Sequence, residues 1–177
     1  MVPLVLIVAL GLGLLVPFRW VSGPLDPREV AWAFCEYFTG NALEELMFHG
    51  YLLVVVSRSI GSLRSLLVLA ALFGLFHLPG LAGMAAIKMV CTTAAWSIVF
   101  GLAYVRTGTL WAAIGMHAFG NTLLHRIGGM SGEPSLFRIV FTGAWPIAYD
   151  PGFVVFVAVG ITAAIALFVV PIPGRRR

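Results

Sequence analysis

Glu36, Glu44, Glu45, His49, His77, Lys88, His117 and Asn121 stand in otherwise apolar stretches of this chain. Most fall into three short clusters, Glu44-Glu45-Leu46-Met47-Phe48-His49-Gly50, Phe73-Gly74-Leu75-Phe76-His77 and His117-Ala118-Phe119-Gly120-Asn121. A charged side chain at the centre of a membrane helix costs about 2.5–3.5 kcal/mol on insertion scales, so each of these residues demands a reason. A carboxylate and a histidine converging in a dry pocket can position a water and remove its proton. A second histidine and an amide can donate hydrogen bonds to an oxygen that gains negative charge. Those are the requirements of amide hydrolysis. No serine or cysteine accompanies the clusters in a motif-like way, so a covalent nucleophile is the weaker reading.

Helices must bring these groups together. Residues four apart share a helix face, which pairs Glu45 with His49, Phe73 with His77, and His117 with Asn121. Glu44 and Glu45 diverge by about 100°, so only one of them can face a given point. Apolar runs separated by glycine and proline breakers suggest spans at 2–18, 30–57 (with a break near Gly40-Asn41), 62–78, 83–105, 109–126 and 152–171. Taking Arg58, Arg64 and Arg106 as a common zero, helical rise puts Glu44, His77, His117 and Asn121 at about 21, 20, 17 and 23 Å. Three helices thus place their costly groups within about one turn of the same level.

Composition agrees with a membrane protein. Of 177 residues, 60% are hydrophobic and 10% charged, against roughly 25% charged in a soluble domain. Disorder, collagen-like repeats and a soluble enzyme are excluded. The net charge of +4 comes from scattered arginines without the basic stripe of a nucleic-acid binder. Cys35 and Cys91 lack metal or redox spacing. Residues 1–18 have no basic start and no cleavage-site pattern, which favours a retained helix over a signal peptide. The alternation of an outer-membrane barrel is absent. The expected fold is therefore all-α, a polytopic helical bundle of about six spans forming one domain over 1–177, in the inner membrane of a bacterium or archaeon. Arg58, Arg64, Arg106 and Arg175 to Arg177 outnumber Arg19, Arg28, Arg126 and Arg138, so the positive-inside rule turns the polar level towards the non-cytoplasmic face.

The three clusters resemble those of the CAAX-processing and bacteriocin-processing intramembrane proteases, which include the type II CAAX prenyl endopeptidases. That family carries Glu-Glu-x-x-x-Arg, Phe-x-x-x-His and His-x-x-x-Asn motifs in order. Glu44-Glu45, Phe73 to His77 and His117 to Asn121 match them, and Phe100-Gly101-Leu102 and Arg106 to Trp111 resemble the intervening stretch. The resemblance covers roughly residues 40 to 125. It implies that Glu44 and His77 activate water, that His117 and Asn121 stabilise the oxyanion, and that Glu45 supports the site. The partners it implies are a membrane-anchored protein or peptide substrate and the lipid bilayer. His49 departs from the family, standing where arginine is usual. Histidine lacks arginine's permanent charge and bidentate fork, and a Glu45–His49 pair is expected in its place.

The same residues also fit blander readings. Glu44 and Glu45 suit the first turn of a helix starting near Gly40. His77 can cap helix carbonyls before Pro79-Gly80, and His117 with Asn121 can act as interhelical glue. Two rival functions also stand. One is a zinc peptidase with Glu44, His77 and His117 as ligands, although no cofactor is expected and H-E-x-x-H is missing. The other is a non-catalytic transporter or partner-binding protein using the same cluster.

Overall fold

The computed structural model describes residues 18–129, 134–142 and 151–169. The chain enters through strand β1 (Phe18–Ser22) and ends in helix α6 (Pro151–Val169). Between them lie α1 (Pro27–Glu45), α2 (Leu53–Ile60), α3 (Ser62–Phe76), α4 (Gly83–Thr107), α5 (Leu110–Asn121) and strand β2 (Phe137–Phe141). Two widened π-helical segments, Leu46–Leu52 and Thr122–Ile127, follow α1 and α5. Most of the described chain is helical, as the composition implies. The two-stranded ribbon is an addition that the apolar periodicity did not suggest: β1 and β2 pair antiparallel, Trp20 opposite Ile139.

Helix α1 starts on a reciprocal cap. Asp26 accepts from the Arg28 amide at 2.7 Å and Glu29 accepts from the Asp26 amide at 2.8 Å, with Pro27 in the first turn. The expected break at Gly40-Asn41 is absent. Backbone angles remain helical through Glu45, Leu46, Leu52 and Leu53, so α1, the π-helical turns and α2 run on continuously to Ile60. A single glycine costs a helix about 1 kcal/mol, and packing on both sides readily offsets that. Glu44 and Glu45 therefore do not open a helix. They close a long one, where it widens. The α2–α3 turn uses Gly61 at φ +79 and the α4–α5 turn uses Gly108 at φ +72, conformations that favour glycine.

Helices α3, α4, α5 and α6 share an apolar core including Leu66, Leu69, Val99, Phe100, Ala113, Ala163 and Leu167. Small residues draw the helices close. A Cβ on Gly74 would stand 2.8 Å from the Val90 carbonyl oxygen, and one on Gly101 would meet Leu66 and His49. The exterior is apolar as well: Leu43, Leu63, Leu67, Trp111, Phe119 and Phe168 are each more than half exposed. Meanwhile Glu45, His49, Ser65, Ser97 and His117 are buried. Large apolar side chains facing outward while carboxylate and imidazole groups lie within the core is unlike a water-soluble domain.

Length and composition qualify one described helix, Gly83–Thr107, to cross a membrane by itself, and Ser62–Phe76 and Phe156–Val169 are shorter apolar helices. Six full spans are thus not supported by the described helices. The expected first span lies almost wholly outside the described residues, and the long helix from Pro27 to Ile60 carries Arg28, Glu29, Glu36, Glu44 and Glu45.

Candidate active site

The widened turn after α1 sets the site. A π-helical segment inserts a residue into the helical repeat, a feature often found at functional positions. Here it carries Phe48, His49 and Gly50 directly after Glu44-Glu45. Gly50 keeps that turn near α5, since a Cβ on it would lie 3.1 Å from Leu110 Cδ2.

Glu45 is the hub, with 0% exposure. His49 Nδ1 donates to its Oε2 at 2.6 Å, and His117 Nδ1, from α5, donates to its Oε1 at 2.9 Å. Both carboxylate oxygens are occupied, and both imidazoles are held through the same type of nitrogen. The far side of the His49 ring reaches Ser97 of α4, Nε2 to Oγ at 3.2 Å. The His117 ring stacks on Phe100, centroids 4.4 Å apart at 20°.

Glu44 and His77 form a second, more open pair. His77 Nε2 lies 3.9 Å from Glu44 Oε2, with the side chains 24% and 27% exposed. That separation exceeds a hydrogen bond, and Glu44 Oε2 is enclosed without a donor. One water at about 2.8 Å from both atoms would bond to each. His77 also ends α3: its Nδ1 donates to the Phe73 carbonyl at 2.8 Å. Capping and facing Glu44 are compatible, because capping uses Nδ1 and leaves Nε2 pointing at the carboxylate. The Phe73 ring stands between the pairs, 4.6 Å from His77, 6.3 Å from His49 and 6.0 Å from His117.

Asn121 donates to Asn41 Oδ1 at 3.3 Å, tying α5 to α1. The structure thus joins Glu45, His49 and His117, sets Glu44 against His77, and ties Asn121 to α1 four residues before Glu45. Ser97 is not identified by the sequence at all, while Asn41 stands there only within an expected helix break and Phe100 only within the stretch that resembles the family. Asn41 had a readable signal, lying one turn before Glu45 on the same face. A lone serine in an apolar helix carries none. Among the described residues, no group of three or more His, Cys, Asp or Glu side chains is arranged to hold a metal ion.

A mostly helical body with an apolar exterior encloses a buried carboxylate–imidazole network. Residues 26–123 match the family model described as type II CAAX prenyl endopeptidase Rce1-like. The match spans more than half of the chain and contains all three clusters, and the protein belongs to that family. It is accordingly a peptidase of an integral membrane protease family that acts on membrane-associated prenylated proteins. No curated protein and no solved structure matches the chain.

Proposed function

We propose that this chain is an intramembrane endopeptidase that hydrolyses a peptide bond in a membrane-associated protein or peptide. The observation that carries the mechanism is the Glu44–His77 pair: an enclosed carboxylate oxygen without a donor facing an imidazole nitrogen at 3.9 Å. A water between them supplies the missing donor and gives up its proton as its oxygen attacks the scissile carbonyl carbon. The carbonyl π electrons move to oxygen. His117, through Nε2, and Asn121, through its second amide N–H, stabilise that oxyanion. The C–N bond then breaks, and the proton held by the Glu44–His77 pair passes to the leaving amine. The products are a carboxylic acid and an amine, which ionise to a carboxylate and an ammonium group.

Glu45 serves this chemistry at one remove. Its bond to His117 Nδ1 turns Nε2 the other way and offsets the positive charge of a doubly protonated ring. The activity needs no cofactor in this scheme. The protein acts as a single membrane-embedded domain, with the site towards the non-cytoplasmic face and lateral access selecting anchored substrates. Co-expression of candidate membrane substrates with wild type, Glu44→Gln and His77→Ala tests the reading by mass spectrometry. Shortened substrate is expected with wild type alone, and equal processing by all three ends the protease assignment.

A further inference from the structure

Side-chain hydroxyls on the helices of this protein mostly bond back to their own backbone. Thr39, Ser65, Thr92, Thr107, Thr122 and Thr162 each donate to the carbonyl four residues earlier at 2.7–2.9 Å. Such back-bonding is the local option for serine and threonine in a helix. Ser97 departs from the pattern. It is 1% exposed, and its Oγ bonds across to another helical element, at His49 Nε2.

The proton positions on this bond follow from the rest of the chain of contacts. Glu45 accepts at both oxygens, so His49 carries its proton on Nδ1. A neutral His49 then presents a lone pair at Nε2, and the Ser97 hydroxyl is the donor facing it. The ring has little freedom to do otherwise. A Cβ on Gly101, one turn beyond Ser97, would lie 3.0 Å from His49 Cδ2 and 3.2 Å from Nε2, so α4 packs directly on the ring edge.

We infer that Ser97 is a positioning residue of the peptidase, its hydroxyl fixing the tautomer and orientation of His49 so that Glu45 is held in register for His117. The hydrogen bonds run Ser97 to His49 to Glu45, with His117 donating to the other oxygen, through groups no more than 7% exposed. Donors and acceptors match at every link, and fully satisfied buried networks of this kind rigidify a site. Losing Ser97 leaves Nε2 without a partner and frees the His49 ring to tilt. The kinetic part of this inference rests on the proposed peptidase mechanism, whereas the tautomer part does not.

The experiment uses the full chain in detergent micelles with 15N-labelled histidine rings, as wild type, Ser97→Ala and, as a control, Thr162→Val. The His49 resonances are assigned by their loss in His49→Gln. Wild type should show a protonated Nδ1 and an unprotonated, hydrogen-bonded Nε2. In Ser97→Ala the Nε2 resonance should move to the position of a bare lone pair, and in Thr162→Val it should stay. A proton on wild-type Nε2, or an unmoved resonance in Ser97→Ala, overturns the assignment. Cleavage of a prenylated CAAX peptide is followed in parallel. For Ser97→Ala, kcat should fall roughly tenfold with little change in KM, the loss expected from one unpaired buried hydrogen bond. A shifted resonance with unchanged kcat overturns the positioning role. A wild type that cleaves nothing defeats the functional reading, and the resonances alone then decide whether Ser97 sets the tautomer.

Discussion

Glu45 and His117, separated by 72 residues in sequence, meet at 2.9 Å in the protein interior. The same carboxylate binds His49 four residues along its own helical element at 2.6 Å. A single carboxylate thus ties the widened turn after α1 to α5, and its loss has two costs. Removing one partner from a buried ion-paired or strongly hydrogen-bonded cluster typically costs about 3–5 kcal/mol. Glu45→Ala should lower stability by that order, and Glu45→Gln by less, since an amide oxygen still accepts one bond. Chemical denaturation in micelles measures the difference, and equal stability of Glu45→Ala and wild type would contradict the hub role.

Glu44 has the opposite profile. It is part exposed and its enclosed oxygen has no donor, so it contributes little to stability and is free for chemistry. Glu44→Gln should leave the unfolding midpoint near that of wild type while lowering kcat by about 10²–10⁴, the usual worth of a general base. Steady-state cleavage of a prenylated peptide, alongside thermal unfolding, separates the effects. A large loss of stability with retained turnover would reverse the assignments of Glu44 and Glu45.

Gly101 lies where α4 closes on the site. An added Cβ would run into the Leu66 side chain and come within 3.0 Å of His49 Cδ2. Gly101→Ala should destabilise by about 1–3 kcal/mol, the usual cost of overpacking. It should also disturb the His49 ring, which is readable in its 15N resonances. Alanine's better helix propensity works in the other direction by up to about 1 kcal/mol, so an observed gain in stability would show that Leu66 and His49 yield easily.

Metal dependence gives a fourth test. In the proposed mechanism a water is activated by Glu44 and His77, so dialysis against a strong chelator should leave peptide cleavage unchanged and elemental analysis of active protein should find no stoichiometric zinc. Zinc at one per chain, with activity lost on chelation and regained on its return, would instead assign Glu44, His77 and His117 to a metal.

The site was more legible in the sequence than the fold's details. Ionisable residues are so costly in apolar helices that Glu44, Glu45, His49, His77 and His117 stand out as candidates, with Asn121 one turn from His117, and helical rise puts Glu44, His77, His117 and Asn121 near one level. The family match over residues 26–123 contains the same clusters. The helix from Pro27 to Ile60 was harder to read. Gly40-Asn41 resembles a breaker, yet Asn41 is 5% exposed and joined to Asn121, a tertiary contact that no local pattern announces. The β1–β2 ribbon was illegible for a related reason: its strands lie more than a hundred residues apart, and strand pairing over that distance leaves no local periodicity.

Residue chemistry and spacing alone determined that this chain keeps carboxylates and imidazoles within an apolar helical protein, because side-chain type and helical repeat are local properties. The division of labour among those groups was decided only in three dimensions. Glu44 and Glu45 are neighbours with the same side chain, and the 100° or so between them sends one to His77 and the other to His49 and His117. Which of them is sealed in and which stays open depends on the packing of α3, α4 and α5 around the widened turn, and on a serine in α4 whose partner lies 48 residues away.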